Sequence, residues 1–542
     1  MSKWFKKAVS CMLILGLTIS LAGCGSKDKQ SDEGQSSFVA SDNIVNVGVT
    51  DTLSSLNPLV IDQTEINTNA IALMFLPLVS LDKDLNFEYM LADSITTEDN
   101  LNFLVHINDA ATWSDGTPVT AADVEYTFLK LASPVINNVT MMYYAFEGVG
   151  DDGFTEEGAK SVSGVQVLDD KTIQFTSKYP MALSTFNNTY ARYLRVLPKH
   201  VLEQYSDDEL MTLDWFNHPD VVCGPYIVTE CDPNHYISYV ANADYWMGAP
   251  KIEKLNIQIK DASQIYVGLQ SGELDITHHT MTAIPQEDYE NVESLENVQV
   301  VYGTPVTNQS VFIQTENIPD ARVRQALVYA IDREQILEQL LKGHGEVVDG
   351  FLSSASPFYD DSIEPMGYDP EKAKTLLADA GWDDSQTLRF YVNSGDSTMV
   401  NAVQVMVAMW QAVGIKVEVN TVDLANLMTI AGSKDYDMLA VQYTYAPVDP
   451  YPDVQWLLSG EGSWTGYSND QINEALTKTQ LTSDIEEIKA EYTIIDKIVQ
   501  EDVPMFSAYI ISAQGAVNNR LQNAEPTVYG FFNHVHEWEI AK

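Results

Sequence analysis

An α/β protein of two or three lobes is what this sequence predicts, and three observations lead there. Its 542 residues exceed what one hydrophobic core spans. Its 45% hydrophobic content, a tenth of the chain being aromatic, supplies ample apolar surface to bury. Strand-like alternations are followed by turn chemistry and capped helical patterns at several places along the chain.

The amino terminus is an export signal. Lys3, Lys6 and Lys7 precede an apolar run over residues 8–22, which is short for a membrane span and ends in Leu21-Ala22-Gly23-Cys24. This is similar to a lipoprotein signal peptide, which implies removal of residues 1–23 and lipidation of the new terminal Cys24. Two acyl chains on one residue give firm anchoring. Residues 24–43 carry few large apolar side chains and read as a flexible tether spanning about 25 Å. The formal net charge of -47 opposes phosphate backbones and anionic headgroups, so no nucleic acid is expected and the membrane is reached only through the lipid.

After signal removal and lipidation two cysteines remain, Cys223 and Cys231. The run between them reads as a strand, which puts their sulfurs roughly 26 Å apart. No disulfide is expected, nor a cysteine zinc site.

Taken in order, residues 44–49 form the first strand. The loop through Leu56-Asn57-Pro58 leaves its carboxyl end, the end that faces the crevice in open α/β sheets. Asn57 is therefore either a binding residue or plain turn chemistry. A helix is expected over 69–79. Leu101, Phe103, Val105 and Ile107 then alternate with Asn102, Leu104, His106 and Asn108. Ser114-Asp115-Gly116 supplies a turn. Thr120 caps a helix with Asp123 in its first turn and Val124, Phe128 and Leu131 on one face. Residues 171–176 alternate again, and residues 224–230 start a hairpin turned at Asp232-Pro233-Asn234. Residues 298–315 are apolar and β-branched and cross into a further lobe. Val323, Ala326, Leu327, Ala330 and Ile331 fall at helical spacing, Asp332 and Gln335 cap the next helix, and Gly343 stops it. Asp369-Pro370 opens another helix that Gly381 ends.

The string Trp113-Ser114-Asp115-Gly116-x-Pro118-Val119-Thr120-Ala121-x-Asp123-Val124-x-Tyr126-x-Phe128 closely resembles a block of the extracellular solute-binding proteins of family five. These are the oligopeptide, dipeptide and nickel receptors of ABC importers. Leu197-Pro198-Lys199-His200, Gly224-Pro225-Tyr226, Asn242-x-x-Tyr245-Trp246, Gly272-Glu273-Leu274-Asp275, residues 320–333 and residues 369–382 match further blocks in the family's order. The resemblance implies a two-lobed, periplasmic-binding-protein-like α/β fold with an extra subdomain inserted in lobe one. Lobe one is expected at 44–82, 190–305 and 505–542, the insert at 83–189 and lobe two at 306–504. Closure is expected about hinges near 303–310 and 503–509.

Catalytic signatures are missing: there is no Gly-x-Ser-x-Gly elbow, no Gly-Lys-(Ser/Thr) phosphate loop and no His-Glu-x-x-His. No enzyme activity, cofactor, catalytic residue or resident metal is expected. Residues 442–450 resemble the family's ligand-lining strand and loop, where peptide-amine receptors carry an Asp three residues before the acidic-Pro step. Ala446 stands there, which leaves Asp449 as a displaced candidate or points to a ligand without a free amine. Tyr443, Tyr445, Trp464 and Tyr509 lie in segments that resemble cleft walls, and Tyr143 lies in the overhanging insert. Flat rings offer contact area at low rotamer cost. The expected protein is a monomeric lipoprotein on the outer face of the cytoplasmic membrane that hands peptides to the membrane subunits of an ABC permease. A receptor for an oligosaccharide, or for nickel or a metal chelate through His278 or His279, is the alternative within receptors. A secreted hydrolase is the alternative outside them.

Overall fold

The computed structural model describes residues 43–61, 64–138, 143–278, 283–444, 447–459 and 463–541. The signal peptide, Cys24, the tether, His279, Tyr445 and Ala446 lie outside the described residues.

Two open sheets organise the chain. The first has seven strands in the order Val298–Tyr302, Gln514–Asn518, Ile276–Thr277, Ile44–Val49, Lys254–Ile259, Tyr236–Ala241 and Tyr226–Asp232. Ile44–Val49 runs parallel to both of its neighbours. Val45 and Val47 face one core with Leu255 and Ile257, while Gly48 points the other way. A Cβ at Gly48 would meet Leu274 Cδ1 at 2.7 Å, so glycine lets the helix Ala262–Ser271 and its following turn pack tightly.

The second sheet has six strands in the order Gly345–Glu346, Met505–Ile511, Thr307–Ile313, Met438–Thr444, Thr387–Asn393 and Lys416–Val422. Period-2 alternation splits it between two cores. Val311, Ile313, Met438 and Ala440 pack on one face, and Phe312, Leu439 and Val441 on the other. Helices therefore cover both faces, the three-layer arrangement that apolar strands require.

A four-stranded antiparallel sheet, in the order Ala92–Thr96, Asn102–Ile107, Thr172–Thr176 and Val165–Val167, shares the core of the first sheet. Its helix Ala121–Leu131 starts at the expected cap, where Asp123 accepts from Thr120 N at 2.8 Å and Thr120 Oγ1 at 2.9 Å. The other oxygen of Asp123 accepts from Lys199 N at 2.9 Å. The Trp113–Phe128 block thus also fastens this sheet to the segment after Pro198.

The helix expected over 69–79 forms instead over Glu65–Ala72. Beyond it the carbonyls of Leu73 and Met74 accept from Tyr226, Cys223 and Gly224 rather than from their own helix. That approach leaves no room for a side chain at Gly224, whose Cβ would sit 2.4 Å from Leu73 O. Cys223 and Cys231 are both free thiols. Burial pushes the Cys223 thiol up to about 12.

The chain passes between the two sheets twice. The first passage is at 303–306, inside the expected window. The second corrects the expectation that residues from 505 onward join the first sheet: Met505–Ile511 pairs with Thr307–Ile313, and the passage falls at 512–513. The two passages lie side by side, with Tyr302 opposite Gln514 and Gly303 N donating to Ala513 O at 3.0 Å.

Candidate functional site

Parallel strands direct their carboxyl ends, and the loops that follow, toward one side of each sheet. In the first sheet these ends are Val49, Ile259 and Thr277; in the second they are Asn393, Val422 and Thr444. Each edge holds a polar cluster.

On the second sheet, Gln309 Nε2 donates to Asp396 Oδ2 and to Gln442 Oε1, both at 3.1 Å. Asp396 also caps the helix Ser397–Ala412, and burial raises its pKa. Tyr443 is half-buried on the opposite face of the same strand, across from Asn308 in the neighbouring strand and 6.3 Å from the Phe312 ring. Trp464 is half-buried, edge-on to Phe312 at 5.5 Å and to Trp456 at 4.5 Å, and Trp456 is exposed.

On the first sheet, Thr50, Asp51, Glu65, Asn69 and His278 form the polar wall of a small, solvent-open pocket. Its apolar wall includes Ile66, Phe531 and Phe532. His278 Nδ1 lies 2.9 Å from Glu65 Oε1, and its ring meets Phe531 edge-on at 4.7 Å.

Between the two lies a contact made by Asp449. Its carboxylate accepts from Thr185 Oγ1 at 3.0 Å, and Thr185 sits on the short helix Leu183–Phe186 that belongs with the first sheet. Asn188 also hydrogen-bonds to Asp449, and the charge of Arg192 reaches it. Nearby, Gln480 accepts from Ala182 N at 3.1 Å and from Asn100 at 3.2 Å, while Val448 packs on Leu81 and Leu85. Thr398 donates to Gln286 at 2.8 Å on the opposite flank. The two sheet systems are thus drawn together on both flanks.

Burial pushes the Asp449 carboxyl up to about 6 against the hydrogen bonds that oppose it. Burial, and then the charge of Asp449, pushes Asp453 up to about 7. Tyr144, Tyr451 and Tyr492 surround the pair, and Arg192 is the cation facing it.

Residues 183–192 contribute hydrogen bonds and cover to Asp449, so separating them rehydrates that acid. Asp449 binds its proton more tightly when they are together. This contribution to closure is full below about 4 and is lost as pH rises through 6. Affinity for a neutral ligand is expected to fall about tenfold between pH 5 and pH 8. Isothermal titration across that range reads it, and Asp449→Asn should flatten the slope.

Other expected site residues take internal places. Asn57 is buried, with its amide donating to Leu210 O at 2.8 Å and accepting from Leu59 N at 3.0 Å, which is the turn alternative. Tyr143 is fully buried, its ring tilted against those of Phe128, Phe146 and Tyr190. Tyr509 is fully buried in the core of the second sheet, where burial and the charge of Asp396 raise its hydroxyl pKa. Asp51 lies in the loop after the first strand that the sequence marks as facing the crevice, whereas Glu65, Thr185, Asn188 and Asp453 were not legible as site residues, because each joins the site through partners far away in sequence. Among the described residues no group of three or more His, Cys, Asp or Glu side chains is placed to hold a metal ion.

A family model described as bacterial extracellular solute-binding proteins, family 5 Middle, matches residues 86–465. The oligopeptide-binding protein AppA of Bacillus subtilis (strain 168) is 26% identical over 490 residues, 86% of each chain. The glutathione-binding protein GsiB of Escherichia coli O157:H7 is 24% identical over 485 residues, 86% of this chain and 88% of that one. Among solved structures, AppA from Bacillus subtilis in complex with a nonapeptide superposes with a TM-score of 0.71 at 23% identity, covering 92% of this chain and 99% of that one. The ABC transporter substrate-binding protein CtaP from Listeria monocytogenes superposes at 0.77 with 22% identity, covering 93% and 100%. These likenesses show the two-lobed α/β fold, with the two sheets as its lobes.

Proposed function

Because the chain belongs to the bacterial extracellular solute-binding proteins of family 5, we propose that it captures peptides outside the cell and delivers them to an ABC permease without chemical change. The observation that carries this reading is the hydrogen bond from Thr185 to Asp449, which supports contact between elements of the two sheet systems. Relatives named for oligopeptide and peptide binding support the ligand class. We place the protein on the outer face of the cytoplasmic membrane as a monomer, held by lipid on Cys24, on the strength of the Leu21-Ala22-Gly23-Cys24 string.

Closure needs a ligand that binds the shut form better than the open one. A peptide bridging the two carboxyl edges supplies that difference, since its backbone donors and acceptors meet side chains of both lobes only when they are together. Native mass spectrometry of the chain purified from membranes tests the whole reading. The expected spectrum shows a chain beginning at a lipid-modified Cys24 and retaining peptides of intact mass. Recovery of cleaved products after added peptides, or of no peptide at all, would overturn it.

A further inference from the structure

The pocket on the carboxyl edge of the first lobe holds an imbalance of charge that its own side chains do not resolve. Asp51 and Glu65 both line it, and among the described residues no lysine or arginine does. Among the described residues the one group of opposite character is His278, whose Nδ1 lies 2.9 Å from Glu65. A single imidazole offsets at most one carboxylate. Asp51 registers the deficit: burial first, and Glu65 next, raise its pKa, and His278 only partly opposes them.

Hydrogen-bonding capacity is left over as well. The His278 side chain is 4% exposed, yet neither ring nitrogen makes a hydrogen bond, and Thr50 Oγ1 is buried without one. Both line the pocket. A neutral imidazole carries one ring lone pair, which acts as an acceptor. Buried acceptors without donors are costly, and the cost is relieved by a donor that enters with the ligand. Beside these acceptors stand Ile66, Phe531 and Phe532, an apolar surface that suits methylenes.

The geometry points to a subsite for an organic cation, a primary ammonium or guanidinium group on an apolar stem, carried by the captured ligand. The inference rests on the peptide-receptor reading. Asp51 and Glu65 accept charge-assisted hydrogen bonds from the cation, Thr50 and the unprotonated ring nitrogen of His278 accept its remaining protons, and the aromatic wall covers its stem. The strongly acidic chain adds long-range attraction for such ligands.

The test uses the full mature chain and pentapeptides of alanine that carry lysine, arginine or norleucine at one position, each with a free or an acetylated amino terminus. Lysine or arginine at the favoured position should bind about 10- to 100-fold tighter than norleucine. In Asp51→Asn with Glu65→Gln that ratio should fall to near one, with norleucine affinity within about twofold of wild type. A preference that follows the free terminus instead of the side chain identifies the terminal ammonium as the occupant and supports the subsite equally. Tight norleucine binding with no preference for either cation overturns the subsite alone, as does a preference undiminished in the double variant. Binding of no peptide overturns the subsite together with the peptide reading.

Discussion

Replacing Arg333 with alanine is expected to destabilise the chain by about 3–5 kcal/mol, the range for removing one partner from a buried ion pair. Arg333 is 3% exposed and Asp349 8% exposed, and their ion pair lies at the base of the second lobe. The guanidinium also donates to Val348 O at 2.8 Å, Ser507 O at 2.9 Å and Met366 O at 2.8 Å. Asp349 in turn accepts from Met366 N at 2.7 Å and Gln500 at 2.6 Å. One planar group with five donors thus satisfies three carbonyls and a carboxylate drawn from three segments. Alanine leaves Asp349 charged, buried and without its cation, and strands the carbonyls. A lowered guanidinium midpoint with an unchanged slope is the expected record. A midpoint equal to wild type would show that water replaces the side chain at no cost.

The second large effect is expected at Asp275, where alanine should cost about 3 kcal/mol, the lower end of the same range, because its partner keeps some solvent. Asp275 is fully buried and Arg520 is 23% exposed in its side chain. The pair is bidentate, Nε to Oδ1 at 2.6 Å and Nη2 to Oδ2 at 2.8 Å, and Oδ2 also accepts from Asn46 N at 2.9 Å. Arg520 continues to Ile44 O at 2.8 Å. These bonds hold the chain's last segment against its first strand. Asp275→Asn keeps one acceptor and should lose less than alanine. Thermal unfolding of both variants checks the order, and an asparagine variant weaker than alanine would contradict the bidentate account.

Both hubs show where the sequence is silent. Asp275 stands in the Gly272-Glu273-Leu274-Asp275 step that marks a helix end and a strand start, and that much is local. Gly272 takes φ 73° as the stop requires. Nothing near Asp275 names Arg520, which is 245 residues away. The elements read correctly are those decided within a few residues: Thr120 with Asp123, Asp332 with Gln335, Asp369 with Gly381. The helix over 69–79 failed because its apolar residues bury equally well as irregular chain under Gly224. Tyr143 and Tyr509 read as cleft walls because an aromatic ring in an apolar run looks alike in a core and in a binding face. Met505–Ile511 is buried at every position, so its pattern does not tell which sheet takes it. Asp449 was reached through a family resemblance, and its bond to Thr185 shows a role that spacing alone does not give.

The paired passages at 303–306 and 512–513 carry a last consequence. The chain departs at Tyr302 and comes home at Gln514, residues that face each other across neighbouring strands. Everything between them is a cassette mounted on a single socket. Cut there, the host would be left with two stubs already in register, needing only a short splice to become a hairpin. The same doorway allows one jaw to be exchanged for another without rethreading the half built on the first sheet.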